Sequence, residues 1–389
     1  MFNLIGQKKP ELVVVIDLGS GSAGLAILEL NKKEVPRVLF SLRQELNIQK
    51  KLTSERLLFA TVKSLESMIG EMQKTTGHHP DQVYCFLSPH LLASQTRTIR
   101  AVYDKTTHIT ERIISDLVRS ERDIFQKESL NGNSEDGVVF IEEKIMRLTL
   151  NGYEVENYVN KFAKEVEVAV HFSFSSRDVI EPITHAVTDA FHGSIPIFNC
   201  FPFAYFNSVR DIFADSKQFI CVDIGSEISD LSLVRDGVLE SSASFPVGKN
   251  TIFRLLGESN GGEKILLNSL IGLNNAKKLT IEEGAIINRR LIVASSKWID
   301  GVKMAIEEIA QKSRIPKIIY LLSDIDVAPI FKNILSKIDL VEYSILNKQP
   351  EIRSLSSADF TNFCDNKGGM PADPFIMIAA IYLNKIFNN

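Results

Sequence analysis

The chain has 389 residues, 44% of them hydrophobic and 24% charged, with a formal net charge of −4. That length supports two domains with sizeable cores, and the composition is that of a soluble globular protein. The mildly acidic balance gives no basis for nucleic-acid binding, and no window approaches the roughly 20 apolar residues of a membrane-spanning helix. Cys85, Cys200, Cys221 and Cys364 are scattered without metal spacing, which fits a reducing compartment. His78-His79 before Pro80 reads as a solvated loop. MFNLIGQKKPEL at the start lacks the apolar stretch of a secretory signal, so the chain is expected to be cytoplasmic.

In chain order, Val13 to Leu30 reads as a hairpin, with Val38 to Phe40 as a third strand. Leu57, Leu58, Val62, Leu65, Met68 and Ile69 have helical spacing over Ser54 to Gln73, and Thr53 or Ser54 is a fair N-cap. Val83 to Leu87 is the next strand. Thr110 caps a helix to about Lys127, and polar Glu128 to Gly137 is expected to be loop. Val138 to Leu150, Tyr153 to Tyr158 and Val166 to Phe174 read as strands. Helix, strand and helix follow over Ser175 to Phe191, Ile195 to Asn199 and Pro202 to Phe213. Glu258 to Glu263 is Gly-rich and polar, hence loop, and Arg289 to Gln311 reads as one long helix. Lys317 to Leu322 is a strand and Ala328 to Ser336 a helix. Asp373-Pro374 caps a last helix, Phe375 to Phe387, apolar nearly all round and therefore buried.

Two stretches share one pattern. Val13 to Leu28 is an apolar strand, Asp17, Gly19, a small-residue turn and a second apolar strand. Phe219 to Val234 repeats it with Asp223, Gly225 and Asp230, about 200 residues downstream. One copy alone is also what an ordinary hairpin with acidic turn residues looks like. Two copies are the pattern of a duplicated domain holding a phosphate between them. The glycines let backbone approach a ligand, the N–H groups of such turns cradle phosphate oxygens, and Asp223 and Asp230 at strand ends, with Asp17 in the first copy, could hold Mg²⁺ through water.

These paired loops resemble phosphate loops one and two of the actin-like ATPase superfamily. FLSPHLLASQTRTIRAVYDKTTHITERIISDL and LNGYEVENYVNKFAKEVEVAVHF are similar to the insertion of its FtsA/PilM branch. The resemblance implies an α/β, ribonuclease H-like fold of duplicated domains with mixed sheets and a small inserted αβ subdomain. Residues 1–87 and 173–216 would form domain I, 88–172 the insertion, 217–248 and 313–389 domain II, and 249–312 a helical subdomain. It implies an ATP and Mg²⁺ site built from Asp17, Gly19, Ser20, Gly21 and Ser22 in loop one, and Asp223, Gly225, Ser226, Glu227 and Asp230 in loop two. Gly248 and Lys249 would form a third turn, and Ser323 and Asp324 the adenosine turn.

The match is degenerate where hydrolysis needs it. Glu227 interrupts the Gly-rich run of loop two and would set a carboxylate near the γ-phosphate. Like charges 4 Å apart cost about 1 kcal/mol in water and about 4 at an effective dielectric of 20. Gly24 stands where relatives often carry a lysine, so one phosphate-pairing cation is missing. Phe201 occupies the place of an acid or glutamine that orients water, and it cannot accept that hydrogen bond. Ser323-Asp324 replaces Gly-Gly, and Lys249 replaces a glycine, where it could compensate on phosphate. Catalysis is therefore expected to be weak or lost.

The first functional expectation is an FtsA-like division scaffold. It would link a tubulin-like FtsZ polymer tail to the membrane and form homopolymers, with membrane contact through a partner or the Met1 to Ile5 end. In FtsA the insertion contacts neighbouring subunits and division partners. The second is a PilM-like component of type IV pilus or secretion assembly, which binds a membrane-protein peptide. The third is an active ATPase or small-molecule kinase. In the first two the chain would work at the inner face of the cell membrane.

Overall fold

The computed structural model describes residues 10–47, 53–77, 80–129, 137–257, 281–366 and 372–388. The expected loops at 258–263 and His78-His79, and the Met1 to Ile5 end, lie outside the described residues, as does most of the expected loop at 128–137. In chain order the elements are β1 (Glu11–Leu18), β2 (Ser22–Leu30), β3 (Arg37–Glu45), α1 (Ser54–Thr76), β4 (Gln82–Leu87), β5 (Ala93–His108), α2 (Glu111–Ser129), β6 (Val138–Leu150), β7 (Tyr153–Glu154) and β8 (Phe162–Ser176). There follow α3 (Arg177–Ala190), β9 (Ile197–Cys200), α4 (Phe201–Ile212), β10 (Gln218–Ile224), β11 (Ser229–Arg235), β12 (Val238–Phe245), α5 (Lys249–Gly257) and α6 (Ile281–Lys312). The series ends with β13 (Ile318–Ser323), α7 (Ala328–Leu335), β14 (Glu351–Ser354), α8 (Ser357–Phe360), β15 (Asp365–Asn366) and α9 (Pro374–Asn388). The fold is mixed α/β, and the chain divides into two compact units.

The first unit joins the residues up to Ser88 with Glu181–Phe213 and the chain from Leu355 onward. Its sheet has the order β15-β3-β2-β1-β4-β9, antiparallel across β1, β2 and β3 and parallel across β1, β4 and β9. Buried residues fill β1 and β2 almost end to end, because helices leave neither face of these strands to solvent. The Thr53 hydroxyl caps α1 by accepting from the Arg56 N–H, and Gly77 ends the helix at φ 61°. Leu57, Leu65, Met68, Ile69 and Met72 form its buried stripe. Asp373 caps α9, with Oδ1 accepting from the Phe375 N–H at 2.9 Å. That helix packs on α4 and the β1–β3 sheet with Ile376–Ala380, Tyr382 and Leu383 buried, as its all-round apolar sequence requires. The sequence division grouped 313–389 in one domain. The structure instead puts residues from Leu355 onward in the first unit, where α9 packs against α4 and against β1, β2 and β3.

The second unit comprises Pro89–Ile180 and Ala214–Ser354. It holds a five-stranded sheet, β12-β11-β10-β13-β14, and a four-stranded sheet, β5-β8-β6-β7. The five-stranded sheet shares a core with α6 and α7, centred on Trp298 and containing Ile220, Leu231, Phe245, Val302 and Phe331. Gly301 of α6 lets the Phe245 ring approach, since a Cβ there would lie 2.3 Å from it. The four-stranded sheet buries Val166, Val168, Val170 and Phe172 of its central strand with Ile114, Val118 and Phe125 of α2.

Several limits differ from expectation. β5, a 16-residue strand, was not anticipated: as an edge strand it shows solvent Arg100, Lys105 and a run of threonines, which hides its alternation. β3 runs on to Glu45, and β7 is only two residues long. α6 starts at Ile281 and not at Arg289.

Candidate functional site

Loop one, in the first unit, is the turn between β1 and β2. The Gly19 N–H bonds the Ser22 carbonyl at 2.9 Å, and a Cβ on Gly19 would sit 3.0 Å from that oxygen. Ser20 is buried, and the Gly21 carbonyl accepts from the Leu46 N–H at 2.8 Å. Asp17, Gly24 and Arg43 face one another in register across β1, β2 and β3. Because Gly24 has no side chain, Arg43 reaches over it. Its Nη2 donates to Asp17 Oδ2 at 2.7 Å, its Nη1 to Ser22 Oγ at 3.0 Å and its Nε to Asp373 Oδ2 at 2.6 Å. A Cβ on Gly24 would lie 2.6 Å from that Nη2. Asp17 is 2% exposed. Burial opposes the charge on Arg43, but Asp373 and Asp17 outweigh it and hold the guanidinium above its ordinary pKa.

The cation expected to be missing at Gly24 is thus present from the next strand, but it is committed to carboxylates of the chain. The guanidinium also lies 5.0 Å over the Phe375 ring, which is tilted against Phe201 at 5.8 Å. Phe201 stacks on Tyr205 at 6.4 Å and is buried. An aromatic cluster, with no acceptor from Phe201, fills the place where the resemblance puts a water-orienting residue.

Loop two, in the second unit, repeats the turn: the Gly225 N–H bonds the Ile228 carbonyl at 3.0 Å. Here the register brings Asp223, Asp230 and Ser244 side by side on β10, β11 and β12. Asp230 is buried and accepts from Ser244 Oγ at 2.6 Å and Ser232 Oγ at 3.1 Å. Burial lifts its pKa to about 6, although the two serines pull it down. Burial, followed by Asp230 and Asp223, pushes the Cys221 thiol well up, so it is no nucleophile.

Glu227 turns to α5. Arg254 clamps it with Nη1 on Oε1 at 2.9 Å and Nη2 on Oε2 at 2.6 Å, and Asn250 Nδ2 adds a bond at 2.9 Å. The third turn closes tightly on the loop. The Lys249 and Asn250 N–H groups donate to the Gly225 and Ser226 carbonyls at 3.1 and 2.8 Å. A Cβ on Gly248 would lie 2.3 Å from the Gly225 oxygen. Ser226 is buried. β13 pairs with β10, setting Ser323 beside Ile224, and Asp324 Oδ2 meets Lys249 Nζ at 2.5 Å.

Each unit therefore gathers its own predicted residues, and within each unit opposite charges pair with one another. Sequence reasoning missed Arg43, Asp373, Asn250 and Arg254. Taking β3 only to Phe40 hid the signal for Arg43, a cation opposite a glycine opposite an aspartate. No cluster of metal-binding side chains occurs among the described residues. Taken unit by unit, the groups do not fit Mg-nucleotide hydrolysis: in the first unit Asp17 is engaged by a guanidinium and Phe201 offers no acceptor, and in the second Lys249 is engaged by Asp324.

A solved structure of a PilM-PilN type IV pilus biogenesis complex matches this chain with a TM-score of 0.65, covering 97% of it and 98% of that chain at 13% identity. The fold is that of the actin-like ATPases. The ethanolamine utilization protein EutJ from Carboxydothermus hydrogenoformans aligns over 97% of this chain and 91% of its own, with a TM-score of 0.42 and 11% identity. A Bacteroides thetaiotaomicron protein with actin-like ATPase fold and unknown function aligns over 98% and 99%, with a TM-score of 0.38 and 10% identity. No family model and no curated protein matches the sequence. No helix among the described residues is long and apolar enough to cross a membrane.

Proposed function

We propose that the chain is a scaffold of type IV pilus or related secretion assembly. It would act by holding a protein partner, in the first instance a peptide segment of an inner-membrane assembly protein. The observation that carries this is the likeness to PilM, solved with PilN, over nearly the whole of both chains. The FtsA-like division role that led the sequence reading has no comparable support, and an FtsZ tail is not the partner the comparisons favour. The buried Phe201 and the clamped Glu227 support a protein that hydrolyses ATP negligibly. It would work at the inner face of the membrane through its partner.

The test is a titration of the purified chain with two labelled peptides, followed by anisotropy. One is the cytoplasmic segment of the pilus inner-membrane protein from the same genome. The other is the C-terminal tail of the tubulin-like division protein. Saturable binding of the first alone supports the proposal. Binding of the second alone, or phosphate release from ATP well above buffer, would return the protein to the division scaffolds or to the ATPases.

A further inference from the structure

We propose that Arg43 is a built-in counter-cation, holding loop one in the charge state that a bound divalent cation would otherwise have to supply. The inference stands apart from the pilus reading and depends only on the first unit. Three observations carry it. The Asp17–Gly24–Arg43 register places a guanidinium on the very carboxylate that would hold Mg²⁺ through water. The missing side chain at Gly24 is what makes room, since any Cβ there would collide with the guanidinium. And the same guanidinium binds Asp373, whose other oxygen caps α9.

The pairing is built and not incidental. The Asp17 side chain is 3% exposed, that of Asp373 12% and that of Arg43 20%, so neither carboxylate has much water to stabilise its charge. Two carboxylates sit on neighbouring nitrogens of one planar fork, the geometry in which arginine outperforms lysine. Removing the guanidinium would take from two poorly solvated carboxylates the cation they share, a change that is strongly destabilising or favours uptake of a cation. With Arg43 in place, loop one and the cap of α9 are held by the chain itself and have no call on Mg²⁺.

The experiment is thermal unfolding of the full chain by circular dichroism, in EDTA, in MgCl₂ and in Mg-ATP. Arg43→Met keeps the apolar packing over Phe375 and removes the charge. It is expected to melt several degrees below the natural chain in EDTA, and MgCl₂ is expected to raise it by clearly more than it raises the natural chain. Adding Asp17→Asn to Arg43→Met should recover stability in EDTA and abolish the extra Mg²⁺ response. If Arg43→Met does not fold, the neutral triple variant with Asp17→Asn and Asp373→Asn should fold, because no unpaired charge remains. Equal Mg²⁺ responses in the natural chain and Arg43→Met, or a double variant no more stable than Arg43→Met, would overturn the proposal. So would a triple variant that stays unfolded, which would make the role of Arg43 one of packing. Failure here leaves the peptide titration untouched, and the reverse holds too.

Discussion

Asp230→Asn is expected to stabilise the second unit above pH 6. The carboxylate is 5% exposed and shares its place in the sheet with Asp223 on one side and Ser244 on the other. Burial raises its pKa from 3.8 to about 6. Since the folded value is the higher one, the carboxyl's contribution to stability is complete below pH 3.8 and is lost as pH rises through 6. At 1.36 kcal/mol per pKa unit, the charged form costs the folded state up to about 3 kcal/mol at pH 8. Asparagine stays neutral, and it still offers one acceptor and one donor to Ser232 and Ser244. The variant should therefore gain up to about 3 kcal/mol at pH 8, and the gain should shrink towards zero between pH 6 and pH 4. Urea unfolding followed by tryptophan fluorescence measures this directly. Trp298 is the chain's one tryptophan, sits in the core of the same unit, and donates from Nε1 to Ser229 Oγ at 2.9 Å. A loss of stability at pH 8 would refute the reasoning, because the charge would then be needed by the serines. A gain independent of pH would refute it equally.

Further variants follow from the same geometry. Arg254→Met strands Glu227, 3% exposed, without its bidentate partner and should cost the second unit about 3 kcal/mol in urea unfolding; Glu227→Gln on top should recover part of it. Gly248→Ala drives a methyl into the Gly225 carbonyl and should lower the melting temperature sharply, whereas Gly70→Ala, with open space around it inside α1, should be neutral or gain roughly 0.5–1 kcal/mol. Burial holds His90 neutral, with a pKa lowered to about 4, and both its ring nitrogens are buried without a hydrogen-bonding partner. A lowered histidine pKa means that stability is complete above the unfolded value of 6.5 and is lost as pH falls to 4, by about 3 kcal/mol. His90→Gln should move the acid midpoint of unfolding, read by circular dichroism, to lower pH; an unmoved midpoint would show that His90 does not limit acid stability.

Much of the scaffold was legible because it obeys strong local rules. Apolar runs ending in Asp-x-Gly gave both hairpins, the Thr53 cap and a stripe of leucine and methionine gave α1, and a wholly apolar segment after Asp-Pro gave α9. The two loops were equally legible, since each is a short local turn. What escaped were properties of register and partner. Arg43 acts on Asp17 from 26 residues away and on Asp373 from 330, and no local window contains such pairs. Glu227 reads as an intruder on a phosphate until Arg254, 27 residues on, is seen to hold it. β5 escaped because an edge strand needs no apolar face along its full length.

The Arg43–Asp373 link also bears on the order in which the chain can fold as it is made. The segments of the second unit are all synthesised by Ser354, whereas the β1–β3 sheet is made first and then waits some 330 residues for α9. Contacts so distant in sequence form late, and for that interval a face built from Val13, Val15, Ala26 and Leu28 has no lasting cover. Arg43 ties the early strands to the late helix. Held between two aspartates, it finds its second partner only when the cap of α9 leaves the ribosome.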